Sequence, residues 1–266
     1  MSRLDYPLIR DSAEHARLAA QAAFWAPEAA ALIDPLGLPR GASVADLGCG
    51  TLQVCELLAR AVGRRGRVLG LDSDAALVAA MQGATRHAAI EVQRGDAFAT
   101  GWAAGSLQAV HARFLAAPAG RLPALVAEMR RLLPPGGMAL LQEPDADSWD
   151  LTGGGADWQR LLGLIRAGFQ ARGGDFDAGR ELPGALQAAG FVDVQQRRIV
   201  RHLPAGHPYA ALPLAFARQL RPLWLDEGLV DEPELAALLH AIERRLAEGA
   251  EATSFTLVQC WGRRGA

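Results

Sequence analysis

Val44-Ala45-Asp46-Leu47-Gly48-Cys49-Gly50-Thr51, followed by Val68-Leu69-Gly70-Leu71-Asp72, decides the fold of this chain. Each stretch is a short apolar run that ends on or next to an acid. The first opens into a Gly-x-Gly turn ahead of a helical pattern. Glycines there let the backbone pass close to a ligand, because no Cβ intrudes and a positive φ costs little. The second acid, Asp72, follows the next strand and is placed to accept hydrogen bonds from both hydroxyls of a ribose. Together they describe an α/β nucleoside-binding unit with its ligand at the carboxyl ends of the strands.

Two ligands suit that outline. A dinucleotide fingerprint needs G-x-G-x-x-G, the third glycine allowing helix and strand to pack closely. Here the turn reads Gly48-Cys49-Gly50-Thr51-Leu52-Gln53, so Gln53 stands where that glycine belongs. Asp46 also puts a negative charge two residues before the first glycine, where a pyrophosphate would be repelled. S-adenosylmethionine carries no phosphate. It carries an ammonium and a cationic sulfur, to which a carboxylate is attractive. The spacing therefore favours S-adenosylmethionine over NAD.

Strand and helix patterns alternate onward: strand 42–47, helix 52–63, strand 66–71, helix 74–85, strand 89–93, strand 106–111, helix 121–132 and strand 137–142. This alternation predicts a parallel sheet covered on both faces. Ser73-Asp74 supplies a helix N-cap. Upstream, residues 11–34 have helical spacing interrupted near Pro27. Downstream come helices at Trp158–Phe169 and Leu182–Ala189, a strand at Phe191–Val200, a helical stretch over 207–248 broken by Pro213, Pro222 and Pro233, and a last strand at Ser254–Trp261.

In order and spacing these pieces resemble the class I S-adenosylmethionine-dependent methyltransferases of the small-molecule kind. The matching stretches are Val44 to Gln53, Leu69 to Asp74, Gly95-Asp96-Ala97-Phe98, Ser106 to Phe114 and Glu128 to Gly137, with looser matches at Leu141 to Asp145 and Gly179 to Pro183. The resemblance implies a doubly wound Rossmann-like sheet of seven strands, the last antiparallel, with a helical lid insertion. It divides the chain into an N-terminal helical cap (1–35), a core (36–206 and 250–266) and a lid (207–249). It also implies S-adenosylmethionine as cofactor, and transfer of its methyl group to oxygen, nitrogen or carbon of a small molecule. The alternative use of the same fold is a cyclase or a non-catalytic binding protein.

The resemblance assigns Asp46, Gly48 and Gly50 to the methionine end, Asp72 to the ribose, Ser73 to the adenine face, and Asp96 with Ala97 to the adenine edge. A strand-end acid such as Asp72 is expected to carry no core. Arg113 is a candidate partner of the methionine carboxylate or of a helix end. Arg17 and Gln21, one helical turn apart, share a face. In related enzymes such a helix folds over the methionine end, which makes both candidate cofactor ligands. Ahead of the reacting methyl, His111 is a candidate general base; it can equally shape the pocket or be a satisfied core histidine. Glu143 and Asp145, at the end of the fifth strand, are expected to face the acceptor. His202, His207 and Tyr209 are candidate lining of its pocket. Trp149, Trp158 and Trp224 are candidates to stack on an aromatic acceptor or to pack the core.

Composition bounds the rest. The chain has 266 residues, half of them apolar, and a formal charge of −2, which gives no electrostatic footprint for nucleic acid or an anionic membrane. The Asn/Asp-Pro-Pro-aromatic motif of amino-directed nucleic-acid methyltransferases is absent after the fourth strand. All 27 basic residues are arginine, and lysine and asparagine do not occur, which predicts a high-GC bacterial genome. No run of about 20 apolar residues and no basic-then-apolar leader appears, so a cytoplasmic location is expected. Cys49, Cys55 and Cys260 lack metal spacing and read as reduced packing cysteines. The apolar helices of 207–248 are a candidate dimer face.

Overall fold

A computed structural model describes residues 12–85 and 87–266. Of the cap expected over 1–35, residues 1–11 lie outside the described residues. The remainder forms α1 (Ser12–Phe24) and α2 (Ala26–Ile33). The break between them falls at Trp25, and Pro27 sits in the first turn of α2, where a missing N–H costs nothing.

Then follow β1 (Ser43–Leu47), α3 (Gln53–Val62), β2 (Arg67–Asp72), α4 (Ala75–Ala84), β3 (Ile90–Arg94), β4 (Ala109–Arg113), a single turn α5 (Ala116–Ala119), α6 (Leu122–Leu132) and β5 (Met138–Asp145). The second half holds β6 (Asp150–Leu151), α7 (Gly155–Ala171), α8 (Leu182–Ala188), β7 (Phe191–Ile199), β8 (His202–Leu203), α9 (Leu212–Asp226), α10 (Glu232–Ala247), β9 (Ala252–Thr253) and β10 (Thr256–Arg264).

Seven strands form one sheet in the order β3-β2-β1-β4-β5-β10-β7. All run parallel except β10, which inserts antiparallel between β5 and β7. This is the expected doubly wound sheet. The order reverses at β1/β4, so the carboxyl ends of these two strands flank the crevice where such sheets bind ligands. Asp46 lies level with Gly70 on one side and with His111 on the other. Apolar side chains pack on both faces, around α2 and α3 on one and α6 and α8 on the other.

Two strand boundaries differ from expectation, with consequences for the site. β4 runs Ala109–Arg113, which leaves His111 in mid-strand rather than at its end. β5 runs on to Asp145, buried along its whole length, so Glu143 and Asp145 lie within the strand. A periodicity argument cannot see this, because a doubly covered strand has no polar face to mark its end.

The helical cover also differs. α9 and α10 pack with α7 over a third apolar cluster that includes Trp25, Trp149, Trp158, Trp224 and Phe255. The cover therefore draws on 155–171 as well as 207–249, and a small sheet, β6-β9-β8, ties its ends together. Pro213 and Pro233 occupy first turns, whereas Pro222 sits inside α9 without ending it. Trp149, Trp158 and Trp224 are at most 3% exposed, so they pack the core. Trp158 Nε1 donates to the Trp149 carbonyl at 2.9 Å, which satisfies a ring nitrogen that burial would otherwise penalise.

Candidate active site

A cleft of about 690 Å3 opens at the carboxyl ends of β1, β2 and β4, within the range typical of small-molecule sites. Its wall includes Asp46, Gly48, Gly50, Asp72, Ser73, Asp96, Ala97 and Arg113, with Gln21 of α1 on the covering side. The fold thus brings nine of the twelve singled-out residues onto one surface. Arg17, His111 and Glu143 are not on it.

The glycine turn is built by its own backbone. Gly48 and Gly50 have φ of +73° and +49°, and a side chain added at Gly50 would point into open space rather than into protein. Leu52, with φ +63°, carries the chain into α3 without a side-chain cap. Phe114, at φ +54°, turns the chain sharply after β4. Left-handed backbone at non-glycine residues costs of order 1–3 kcal/mol and concentrates at ligand sites. Both outliers flank the cleft.

Asp72 joins two turns. Its Oδ2 accepts from the Gly50 amide at 3.0 Å and its Oδ1 from the Asp74 amide at 3.0 Å. The expectation that this acid carries no structural load is therefore corrected: it holds the glycine turn to the turn after β2. Each carboxylate oxygen has lone pairs for a further donor, so these bonds are compatible with binding a diol. Asp96 accepts from the Phe98 amide at 2.9 Å, which shapes the loop that lines the cleft.

Behind Asp46 lies a polar chain that crosses the sheet. The Arg197 guanidinium donates to Gln259 Oε1 at 3.0 Å, Gln259 Nε2 donates to Gln142 Oε1 at 2.9 Å, and Gln142 Nε2 meets His111 Nε2 at 2.7 Å. His111 Nδ1 meets Asp46 Oδ1 at 2.7 Å. An arginine can only donate, so every direction downstream is set: His111 Nε2 must accept and Nδ1–H must donate to Asp46. His111 is wholly buried, with both ring nitrogens engaged. The placement of His111 at the reacting methyl is corrected accordingly. The side chain orients Asp46 from behind.

Glu143 is corrected too. It is wholly buried, and its oxygens accept from the amides of Leu115, Ala116 and Ala117 at 2.9, 2.8 and 3.0 Å, which caps α5. Burial pushes its carboxyl up to about 7. Asp145 does not face an acceptor either: it is 1% exposed and pairs with Arg180 at 2.6 Å and Arg198 at 2.9 Å. Burial pushes this carboxyl up, but the two guanidiniums outweigh burial and hold it below the usual range.

With Arg94, Arg113 is one of two arginines on the cleft wall among the described residues. Its polar contacts are long ones, 3.5 Å to the Trp25 carbonyl and 3.5 Å to Gln53 Oε1, and burial lowers its pKa. A desolvated guanidinium held this loosely is complementary to a carboxylate ligand. Gln53, the residue that departs from the dinucleotide fingerprint, thus stands beside it. Arg17 instead pairs with Glu14 and donates to Gln21 Oε1 at 2.6 Å. Tyr209 stacks on Phe24 and accepts from Trp25 Nε1 at 2.8 Å, His207 caps the turn that follows it, and His202 is exposed; none lines the cleft. The three cysteines are buried and unpaired, and the sulfurs of Cys49 and Cys55 lie 3.1 and 3.2 Å from where a Cβ at Gly70 would be, so a side chain there would press on both.

Sequence reasoning missed His15, which reaches from α1 to Asp74 at 3.2 Å across the cleft's edge, and Phe114, which lines it. No periodic signal marks either, because one depends on the docking of α1 and the other on a strained turn. No helix among the described residues is long and apolar enough to cross a membrane.

Two acids, a loosely held cation and an open glycine turn suit a ligand that carries a diol, a positive charge and a carboxylate. The comparisons agree with that chemistry. Residues 44–137 match the family model described as a methyltransferase domain. A 2-phytyl-1,4-naphtoquinone methyltransferase of Thermosynechococcus vestitus is 43% identical over 110 residues, which span 41% of this chain and 49% of that protein. The match thus covers about half of that relative's length. Nocamycin O-methyltransferase of Saccharothrix syringae is 29% identical over 248 residues, 85% of each chain. Among solved structures, the YcgJ protein of Bacillus subtilis shares the fold with a TM-score of 0.61 at 13% identity, covering 90% of this chain and 99% of that one. Over residues 44–137 the chain is thus similar to the methyltransferase-domain family, and over most of its length to a named O-methyltransferase.

Proposed function

We propose that this chain transfers a methyl group from S-adenosylmethionine to a small-molecule acceptor bound beneath the helical cover. The observation that carries this reading is the convergence of Asp46, Asp72 and Arg113 on one cleft around an open glycine turn. Asp72 accepts from both ribose hydroxyls. Gly48 and Gly50 give the methionine end room, Asp46 faces its ammonium, and Arg113 faces its carboxylate. Ser73, Asp96 and Ala97 line the adenine side. When bound, S-adenosylmethionine supplies an electrophilic methyl on a cationic sulfur.

The protein's own contribution is alignment and exclusion of water. His111, held by the glutamine chain, keeps Asp46 in one rotamer at the cleft. Glu143 fixes the α5 turn, on which Leu115 backs Gly48 at 3.4 Å from a would-be Cβ. These two act by positioning. The relatives' names, a naphthoquinone methyltransferase and an O-methyltransferase, support a metabolite acceptor, and the second favours oxygen as its reactive atom.

Isothermal titration with S-adenosylmethionine tests the reading: saturable binding is expected, and none up to millimolar concentration would sink it. If the cofactor binds but no S-adenosylhomocysteine forms with any acceptor extract, the cyclase or non-catalytic alternative takes its place.

A further inference from the structure

Next to the main cleft lies a second, small cavity of about 30 Å3. Five phenylalanines line it: Phe114, Phe169, Phe176, Phe216 and Phe255. Gln21, Phe114 and Pro118 belong to the walls of both cavities, so they mark the boundary between them. Gln21 is only 5% exposed. Its orientation is dictated from one side: Arg17 Nη1 donates to Oε1 at 2.6 Å, and a guanidinium cannot accept, so the amide oxygen must face Arg17. Both oxygens of Glu14 grip the same guanidinium, at 2.7 Å each. The Gln21 NH2 group is left without a protein partner among the described residues and turned to the boundary of the two cavities. There the donor borders open space, where solvent or a ligand can accept from it.

From this juxtaposition we infer that the phenylalanine-lined cavity is the acceptor subsite, and that it takes a flat, apolar molecule presenting a deprotonated phenol or enol oxygen to Gln21 Nε2. The inference rests on the methyl-transfer reading above and narrows it to a substrate class. Two facts exclude the neighbouring classes. An alkyl alcohol must lose its proton during transfer, and neither the walls of the small cavity nor the residues shared with the cleft include an Asp, Glu, His or Tyr. A cage of phenylalanines also suits an ammonium. Here, though, the Arg17 cation already lies over the Phe216 ring at 4.9 Å, and Gln21 turns donors inward, so a second cation is repelled.

A phenol or enol acidic enough to ionise near neutral pH needs no base at the site, because it releases its proton to solvent before it binds. The oxyanion then attacks the methyl carbon: the O–C bond forms as the C–S bond breaks, and the electron pair of that bond stays on sulfur. The negative charge of the acceptor and the positive charge of the sulfonium cancel, which a dry aromatic setting favours. At its present size the cavity admits a ring only if its phenylalanine side chains or α1 move aside.

The test uses the full chain saturated with S-adenosylhomocysteine and 4-nitrophenol, whose absorbance distinguishes phenol from phenolate. At a pH where the free probe is mostly protonated, binding should shift the bound probe to the phenolate band, and 4-nitrobenzylamine should bind at least roughly tenfold more weakly. Gln21→Glu keeps the contact with Arg17 but turns only acceptor oxygens inward. It should lose the phenolate shift and reverse the preference toward the amine, a reversal that a merely structural role would not produce. Gln21→Leu, checked for folding by its thermal melt, should lose the shift without gaining the amine. Binding of the neutral phenol, absence of binding by either probe, or a preference for the amine in the parent would each overturn the inference. Failure to bind S-adenosylhomocysteine in the first titration would instead overturn the methyl-transfer reading itself, and this inference with it.

Discussion

The two halves of the sheet end in opposite ways. Across β2-β1-β4 the strands end at or next to Asp72, Asp46 and Arg113, short turns follow, and the side chains meet a cleft. Across β5-β10-β7 the strands continue under α7 and the aromatic cluster. There Glu143 and Asp145, acids as well, are at most 1% exposed and fully engaged by backbone amides or arginines. The same residue type at similar topological positions therefore does different work. A carboxylate is available to a ligand where glycines keep the next turn open. It becomes a structural clamp where the strand runs on beneath a cover. Asp46 is itself only 2% exposed, so what divides the two halves is whether the side chain borders the cleft.

The largest effect that separates them is on stability. Trp158→Ala removes a wholly buried ring from the cover and is expected to cost about 3–5 kcal/mol in denaturant unfolding. Affinity for S-adenosylhomocysteine, measured below the unfolding transition, should change little. If affinity collapsed in step, the halves would not be separable.

Glu143 gives the next largest signal, in pH. Its carboxyl is raised from 4.5 to about 7, so the fold favours the protonated form. The stability it contributes is full below pH 4.5, is lost as pH rises through about 7, and is flat above; the loss is about 3 kcal/mol. Glu143→Gln cannot ionise and should flatten that slope between the two pH values. It should also lose roughly 1 kcal/mol at every pH, because its NH2 meets the Ala117 amide. An unchanged slope in the variant would show that Glu143 does not titrate there.

A matched pair of acids cuts most directly. Asp72→Ala deletes two hydrogen bonds to the ribose, each worth about 1.5–3 kcal/mol, so S-adenosylmethionine affinity in calorimetry should fall at least tenfold. It should also loosen the two turns that Asp72 joins. Asp145→Ala should leave that affinity within about twofold while it lowers the melting temperature, since Arg180 and Arg198 lose a buried partner. Equal affinities for Asp72→Ala and the parent would mean that the nucleoside end is misplaced. Last and smallest, Asp74→Ala removes the α4 cap, which accepts from the Ala76 and Leu77 amides, and the contact with His15. About 1 kcal/mol of stability should go. Any loss of cofactor affinity beyond that would report the contribution of the α1 contact.

How much of this was legible beforehand varies residue by residue. Asp46, Gly48, Gly50 and Asp72 were readable because local backbone needs, an open turn and a strand-end acid, write themselves into adjacent positions. The covered parallel sheet was readable from alternating elements, whereas its seven strands with the last antiparallel came from the family resemblance. His111 and Glu143 were misread, since both assignments depended on where a doubly buried strand stops, and its composition carries no mark of that. Gln21 was singled out on the right helix face, but its orientation comes from Glu14 and Arg17, which only the docked helix brings into line.

The amino-acid order alone determined the glycine turn, the acids at or next to the ends of β1 and β2, the alternation that builds a parallel sheet and the family that the chain resembles. These rest on interactions between near neighbours in the chain, and on apolar patterns that each element must bury. Tertiary structure alone decided which acids reach a ligand, which nitrogen of His111 carries its proton, and that five phenylalanines from four distant segments share one cavity with the Gln21 amide. Those outcomes depend on contacts between residues up to 231 positions apart, such as Gln259 with Glu28, and on burial that no local pattern records.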